Sequence, residues 1–144
     1  MHKIDILVTP PMGCKLPEYE TQGSAGIDLV ATTNVTLRPG ERSIIPTGLK
    51  VAIPEGFEIQ VRPRSGLAYK HGITVLNAPG TIDADYRGEI GVILYNTSND
   101  TYQVTAGDRV AQAVLCPVFQ INWVLVDELP DTPRGEGGFG STGK

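Results

Sequence analysis

The sequence has 144 residues, enough for one domain of ordinary size that folds without disulfide or metal staples. With 40% hydrophobic and 19% charged residues, it argues against both a membrane protein and a disordered chain. The net charge of −4 offers no broad basic field. Nucleic acid is therefore not an expected partner, and an anionic ligand would need locally clustered arginines.

The chain starts with a strand-like run over residues 4–8, which Pro10-Pro11 stop. That run is too short for a secretory signal, and no stretch approaches the ~18 apolar residues of a membrane helix. A cytoplasmic, reducing compartment is expected, with Cys14 and Cys116 as free thiols and Cys116 in the core. The cysteines have no metal-ligand spacing, and only His2 and His71 could join them, so no zinc site is expected.

Seventeen glycines and eleven prolines are spread along the chain, which disfavours a helical bundle. Short apolar windows at 29–31, 43–45, 49–53, 57–62, 90–95, 110–118 and 123–126 read as strands. Pro39-Gly40, Pro54-Glu55-Gly56, Asn99-Asp100 and Ala106-Gly107 supply turns. Window 57–62 alternates strictly, with Phe57, Ile59 and Val61 on one face. Window 90–95 is apolar on both faces and is expected to be buried from two sides, as a sandwich core strand or as a subunit face. The pattern predicts an all-β, jelly-roll-like barrel or sandwich. One short helix is expected at 65–71, with Ser65 as N-cap and Gly72 as its stop after Lys70 and His71. Residues 1–133 form the single domain, and 134–144 a flexible glycine-rich arm.

Arg62-Pro63-Arg64-Ser65-Gly66 delivers two arginines and a hydroxyl to the start of that helix, where backbone N–H groups are unpaired. It reads either as an anion cradle, with Arg64 forked onto phosphate oxygens, or as a surface helix flanked by solvated arginines. Asp83 and Asp85 are two apart and point the same way on an extended hairpin arm. They can activate water, face a metal, or serve as turn residues. Asn77 offers a donor and an acceptor suited to a base edge, and Tyr86 can stack on a flat ligand or pack. On a strand, Gln112 shares a face with Val110, Val114 and Cys116, so its amide needs a partner from protein or ligand. The tail contains a decoy, because Gly138 to Lys144 satisfies GxxxxGK. A phosphate-binding loop of that kind needs a strand before it, and a Ser or Thr and a helix after the lysine, and the sequence given stops at Lys144. The arm is either a lid over a phosphorylated ligand or a disordered tail, and Phe139 among glycines favours the lid.

Five blocks together resemble the homotrimeric dUTPase family. They are Ala25-Gly26-Ile27-Asp28-Leu29-Val30-Ala31, Pro63-Arg64-Ser65-Gly66-Leu67-Ala68, the stretch from Asn77 through Gly88, Gly107-Asp108-Arg109-Val110-Ala111-Gln112, and the run from Arg134 to Gly143. The resemblance implies a trimer with active sites at subunit interfaces. It implies magnesium-dependent hydrolysis of dUTP to dUMP and pyrophosphate, limiting uracil in DNA and supplying dUMP for thymidylate synthesis. Asp83 would be the general base for the attacking water, and Tyr86 would pack beneath the deoxyribose and exclude a 2′-hydroxyl. Asn77, with Thr81 and Ile82 of a tight hairpin, would read uracil. Arg64, Ser65, Gly66 and Gln112 would hold the phosphates. Asp28 would support Arg64 and reach Mg2+ through water, with no direct protein ligand to the ion. Phe139 would close over the uracil, with Arg134, Gly140, Ser141 and Thr142 at the phosphate chain.

Two other readings remain. A dCTP deaminase shares the fold and needs a proton-shuttling carboxylate, for which Glu89 is the candidate. A nucleotide sensor would keep the pocket for signalling through a partner.

Overall fold

The computed structural model describes residues 1–13 and 15–143, so the expectations placed on Cys14 and Lys144 lie outside the described residues. Among the described residues it has ten strands and one helix. They are β1 (Leu7–Thr9), β2 (Gly26–Val30), β3 (Val35–Leu37), β4 (Arg42–Ala52) and β5 (Phe57–Arg62), then α1 (Ser65–His71). The chain continues through β6 (Ile73–Val75), β7 (Gly80–Ile82), β8 (Glu89–Asn96), β9 (Tyr102–Val104) and β10 (Arg109–Pro117).

Two antiparallel four-stranded sheets, ordered β1-β4-β8-β6 and β2-β10-β5-β7, enclose the core, and β3 and β9 form a small third sheet. The all-β, jelly-roll-like expectation holds. The core is aliphatic, with Leu29, Leu37, Ile45, Ile73, Val92, Leu94 and Val104 essentially inaccessible. Burying each such side chain contributes about 1.5–3 kcal/mol.

Several strands differ from the expectation. The windows 43–45 and 49–53 are one strand, β4, which crosses Pro46 by a register shift against β8. Pro46 lacks an N–H for the ladder, so a bulge is the way to keep the strand continuous. Buried Thr47 mends it, its hydroxyl donating to Ile90 O at 2.6 Å and accepting from Leu49 N at 3.3 Å. Strands β3, β6, β7 and β9 were not expected; three residues carry too little periodicity to stand out. The first strand lies at Leu7–Thr9, because Thr9 still pairs with Lys50 on the edge of β4. Window 123–126 is no strand; it is exposed coil and pairs with no sheet.

Within this chain β8 is buried on one face only. Ile90, Val92 and Leu94 point inward, while Ile93 lies opposite Ile44, which is 65% exposed. An apolar outer face therefore remains open. Cys116 is half-buried rather than in the core, with Sγ 3.8 Å from Arg62 Nη2. Along its strand Val110, Ala111, Ala113 and Val114 are buried, and cover thins at Leu115 and Cys116 near the end.

Helix α1 has the expected span, and Gly72 closes it in the left-handed conformation with its N–H bonded to Ala68 O. Ser65 is not the N-cap. Arg64 occupies that position in extended conformation, without a side-chain cap bond, and Ser65 is the first helical residue. Pro63 disfavours helical backbone at Arg62 before it, and Arg64 is itself extended (φ −90°, ψ 130°), so the helix starts at Ser65.

Candidate functional site

The register of one sheet builds the first half of the site. Gln112 on β10 pairs with Asp28 on β2 and with Arg62 on β5. Residues directly opposite on neighbouring strands project to one face. A carboxylate, an amide and a guanidinium thus stand in a row across three strands. The partner that the Gln112 amide needs comes from the protein, its Nε2 donating to Pro63 O at 3.1 Å.

Arg64 lies beside this row. Its Nε is 3.4 Å from Asp28 Oδ1, and its Nη1 donates to Arg109 O at 3.1 Å. Arg109 completes the network, 3.3 Å from Asp28 Oδ2 and 3.1 Å from Glu20 Oε1. Asp28 therefore bridges two guanidinium groups, and its side chain is 18% exposed. With Arg62 in the row, three guanidinium groups meet two carboxylates, Asp28 and Glu20, which leaves one net positive charge suited to an anion. Arg64 Nη2 has no protein partner among the described residues and remains available to a ligand. Ser65 and Gln112 line an open cleft with Gln60, Arg62, Pro63 and Ala78. A side chain at Gly66 would meet nothing within 4 Å, so the backbone there is open to close approach. Behind the network, burial pushes the Tyr102 phenol above its ordinary pKa; the Asp108 carboxylate adds to the rise and Arg64 opposes it.

Arg109 and Gly26 stand in the resembling blocks without an assigned role, and Glu20 stands in none of them. A Cβ on Gly26 would collide with Gln112 Oε1 and lie 3.1 Å from its Cδ, so the Gln112 amide occupies the space that glycine leaves. Nothing in the local pattern around Glu20 marks it as a partner of Arg109.

The second half of the site is a corner between sheets. β7 pairs with β5, and β8 pairs with β4 and β6, so the two arms of the expected hairpin belong to different sheets. Ala84 and Asp85 form a turn, closed by Tyr86 N donating to Asp83 O at 3.1 Å. Asp83 and Asp85 are therefore not on one face of an extended arm, as expected. Arg87 Nη1 donates to Ala84 O at 2.6 Å and to Tyr86 O at 3.1 Å, which stiffens the corner. Tyr86 Oη donates to Glu89 O at 2.8 Å. Thr81, Ile82, Asp83 and Tyr86 line one small cleft here, with Glu89 and Gly91. Asp83 is exposed, and Asn77 is exposed on the loop between β6 and β7.

The arm belongs to neither half. Its hydrogen bonds stay local, from Arg134 Nε to Gly137 O at 2.7 Å, from Ser141 N to Gly138 O at 3.1 Å and from Gly135 N back to Thr132. Gly140, Ser141 and Thr142 are exposed, and Phe139 is fully exposed. No described residue of the arm lines either cleft. The described residues also contain no cluster of three or more His, Cys, Asp or Glu side chains placed to hold a metal ion.

The dUTPase family model matches residues 13–143, which span both halves of the site and the arm. The chain belongs to the dUTPase family. A deoxyuridine 5′-triphosphate nucleotidohydrolase from Fusobacterium nucleatum is 57% identical over 146 aligned residues, covering all of both proteins. One from Desulfotalea psychrophila is 59% identical over 89% of this chain and 87% of its own length. Among solved structures, the Staphylococcus bacteriophage 80alpha dUTPase with dUPNHPP superposes with a TM-score of 0.89 at 27% identity. That match covers 99% of this chain and all of the phage chain. A mutant dUTPase of phage phi11 of S. aureus, described as coordinating a structural Mg(II) ion, gives 0.81 at 26% identity over 89% of this chain and all of its own. The dUTPase resemblance seen in the five blocks is thereby established over the whole fold.

Proposed function

We propose that this member of the dUTPase family hydrolyses dUTP to dUMP and pyrophosphate by in-line attack of a water activated by Asp83. The observation that carries the proposal is the anion-binding row, Asp28 and Gln112 in register with Arg64 pinned between Asp28 and the Arg109 carbonyl. Positioned cations stabilise the charge that develops as the bond between the α- and β-phosphates breaks. Arg64, Ser65, the open backbone at Gly66 and Gln112 hold the phosphate chain. Asp83 takes the proton of the water as its oxygen bonds to phosphorus, and pyrophosphate leaves.

The corner reads the nucleoside. Asn77 and the backbone of Thr81 and Ile82 meet the uracil edge, and the Tyr86 ring floors the sugar pocket against a 2′-hydroxyl. The arm supplies the lid: Phe139 covers the base, while Arg134, Gly140, Ser141 and Thr142 close on the phosphates and exclude water.

Magnesium fits as an ion that arrives on the triphosphate rather than as a resident of a protein cage. Asp28 is the carboxylate on the phosphate side, bridged by Arg64 and Arg109, and would receive the water shell of the ion. When bound, the ion neutralises phosphate charge. A homotrimer follows from the same reading. The arm lines neither cleft in one chain, and the apolar face around Ile44 and Ile93 is uncovered. Three copies would cover that face and assemble each site from more than one chain. In the cell such an enzyme limits uracil in DNA and supplies dUMP.

A panel of dUTP, dTTP, dCTP and UTP with magnesium, scored for pyrophosphate and ammonia, tests the reading. Pyrophosphate from dUTP alone is the expected result. Ammonia from dCTP would replace it with the deaminase, and nucleotide binding without turnover would replace it with the sensor.

A further inference from the structure

Gly88 follows the corner and does not sit in the left-handed region of the backbone, so its turn does not need a glycine. The space beside its Cα is nevertheless filled. A Cβ there would collide with Tyr86 Oη and lie 2.6 Å from Cζ and 2.9 Å from Cε1. The far end of the Tyr86 ring thus rests where a side chain of residue 88 would be.

Two further contacts set the ring. Its hydroxyl donates to Glu89 O at 2.8 Å, and the Tyr86 backbone is tied to Asp83 O at 3.1 Å. Tyr86 is 45% exposed and forms a wall of the cleft shared with Thr81, Ile82 and Asp83. A methyl group at residue 88 has no backbone penalty to overcome and one obstacle to move. It would lift the ring end off its seat and break the bond to Glu89.

From this we infer that Gly88 is a positioning residue for sugar specificity, setting the height of the Tyr86 ring and so the depth of the pocket beneath the ribose ring. The inference rests on the proposal that Tyr86 faces the sugar. It adds that the discrimination depends on the missing side chain two residues later as much as on the tyrosine.

The test compares kcat/KM for UTP and dUTP in the full-length protein and in Gly88→Ala, Tyr86→Ala and the double variant, with a melting curve for each. Shape alone rejects an added hydroxyl by no more than about a hundredfold. Gly88→Ala is therefore expected to raise the UTP-to-dUTP ratio by roughly tenfold, part of that range. Tyr86→Ala should raise it as far or further. In the Tyr86→Ala background, Gly88→Ala should change neither the ratio nor the melting temperature, because the clash is gone.

If Tyr86→Ala relaxes specificity and Gly88→Ala does not, the role of Gly88 is refuted and the sugar contact stands. If Tyr86→Ala leaves the ratio unchanged, the sugar contact itself fails, and the inference with it. Should Gly88→Ala alone fail to fold, recovery of folding in the double variant supports the clash. Failure of both variants to fold overturns it.

Discussion

Asn96, at the end of β8, has a side chain with no exposure at all, and four hydrogen bonds account for it. Nδ2 donates to Leu37 O at 2.9 Å and to Asp100 O at 2.8 Å, while Oδ1 accepts from Ser98 N at 2.9 Å and Ser98 Oγ at 2.7 Å. One amide thereby ties β3 to β8 and shapes the turn at 97–100. That turn also anchors the C-terminal end of α1, because Thr97 donates to Gly72 O from its N at 2.9 Å and from its Oγ1 at 2.7 Å.

Asn96→Ala takes the side-chain donor from a carbonyl beside fully buried Leu37, a loss of about 1–3 kcal/mol. The turn bonds contribute roughly 0.5–1.5 kcal/mol each where water cannot replace them. Taken together, the loss is about 3 kcal/mol, which lowers the melting temperature of a domain this size by about 10 °C. Thermal denaturation at fixed protein concentration measures it, since association alters apparent stability. Asn96→Asp keeps the acceptor for Ser98 but turns an oxygen toward two carbonyls, so it should melt at least as early as Asn96→Ala. A shift under about 3 °C, or an Asp variant as stable as the parent, would refute this account of the buried network.

Asp83→Asn is expected to bind dUTP with near-parental affinity and lose at least about a hundredfold in kcat, the scale of a general base; titration calorimetry and steady-state rates separate the two effects. Removing residues 134–144 should leave the melting temperature within a few degrees, since no bond of the arm reaches the core, while turnover falls by an order of magnitude or more. Full activity after truncation would end the lid role. Gly26→Ala should displace the Gln112 amide from its seat and raise KM more than it lowers kcat. An unchanged KM would show that Gln112 does not hold substrate.

Features that depend on neighbours along the chain were legible in the sequence. The alternation of β5, the span of α1 and the stop at Gly72 follow from side-chain period and glycine conformation, which act over a few residues. The five blocks were legible for the same reason, since each is contiguous. What the sequence left open depends on partners far away. Whether β7 pairs with β8 or β5 is decided by which sheet offers an edge, and Pro46 interrupts β4 only on paper because Thr47 finds a carbonyl on β8. Arg64 gains its setting from Asp28 and Arg109, which its own segment does not contain. Tyr86 is the sharpest case. Its identity is plain in the sequence, but its position depends on the empty space at Gly88 and on a carbonyl beyond it, and only the folded corner brings them together.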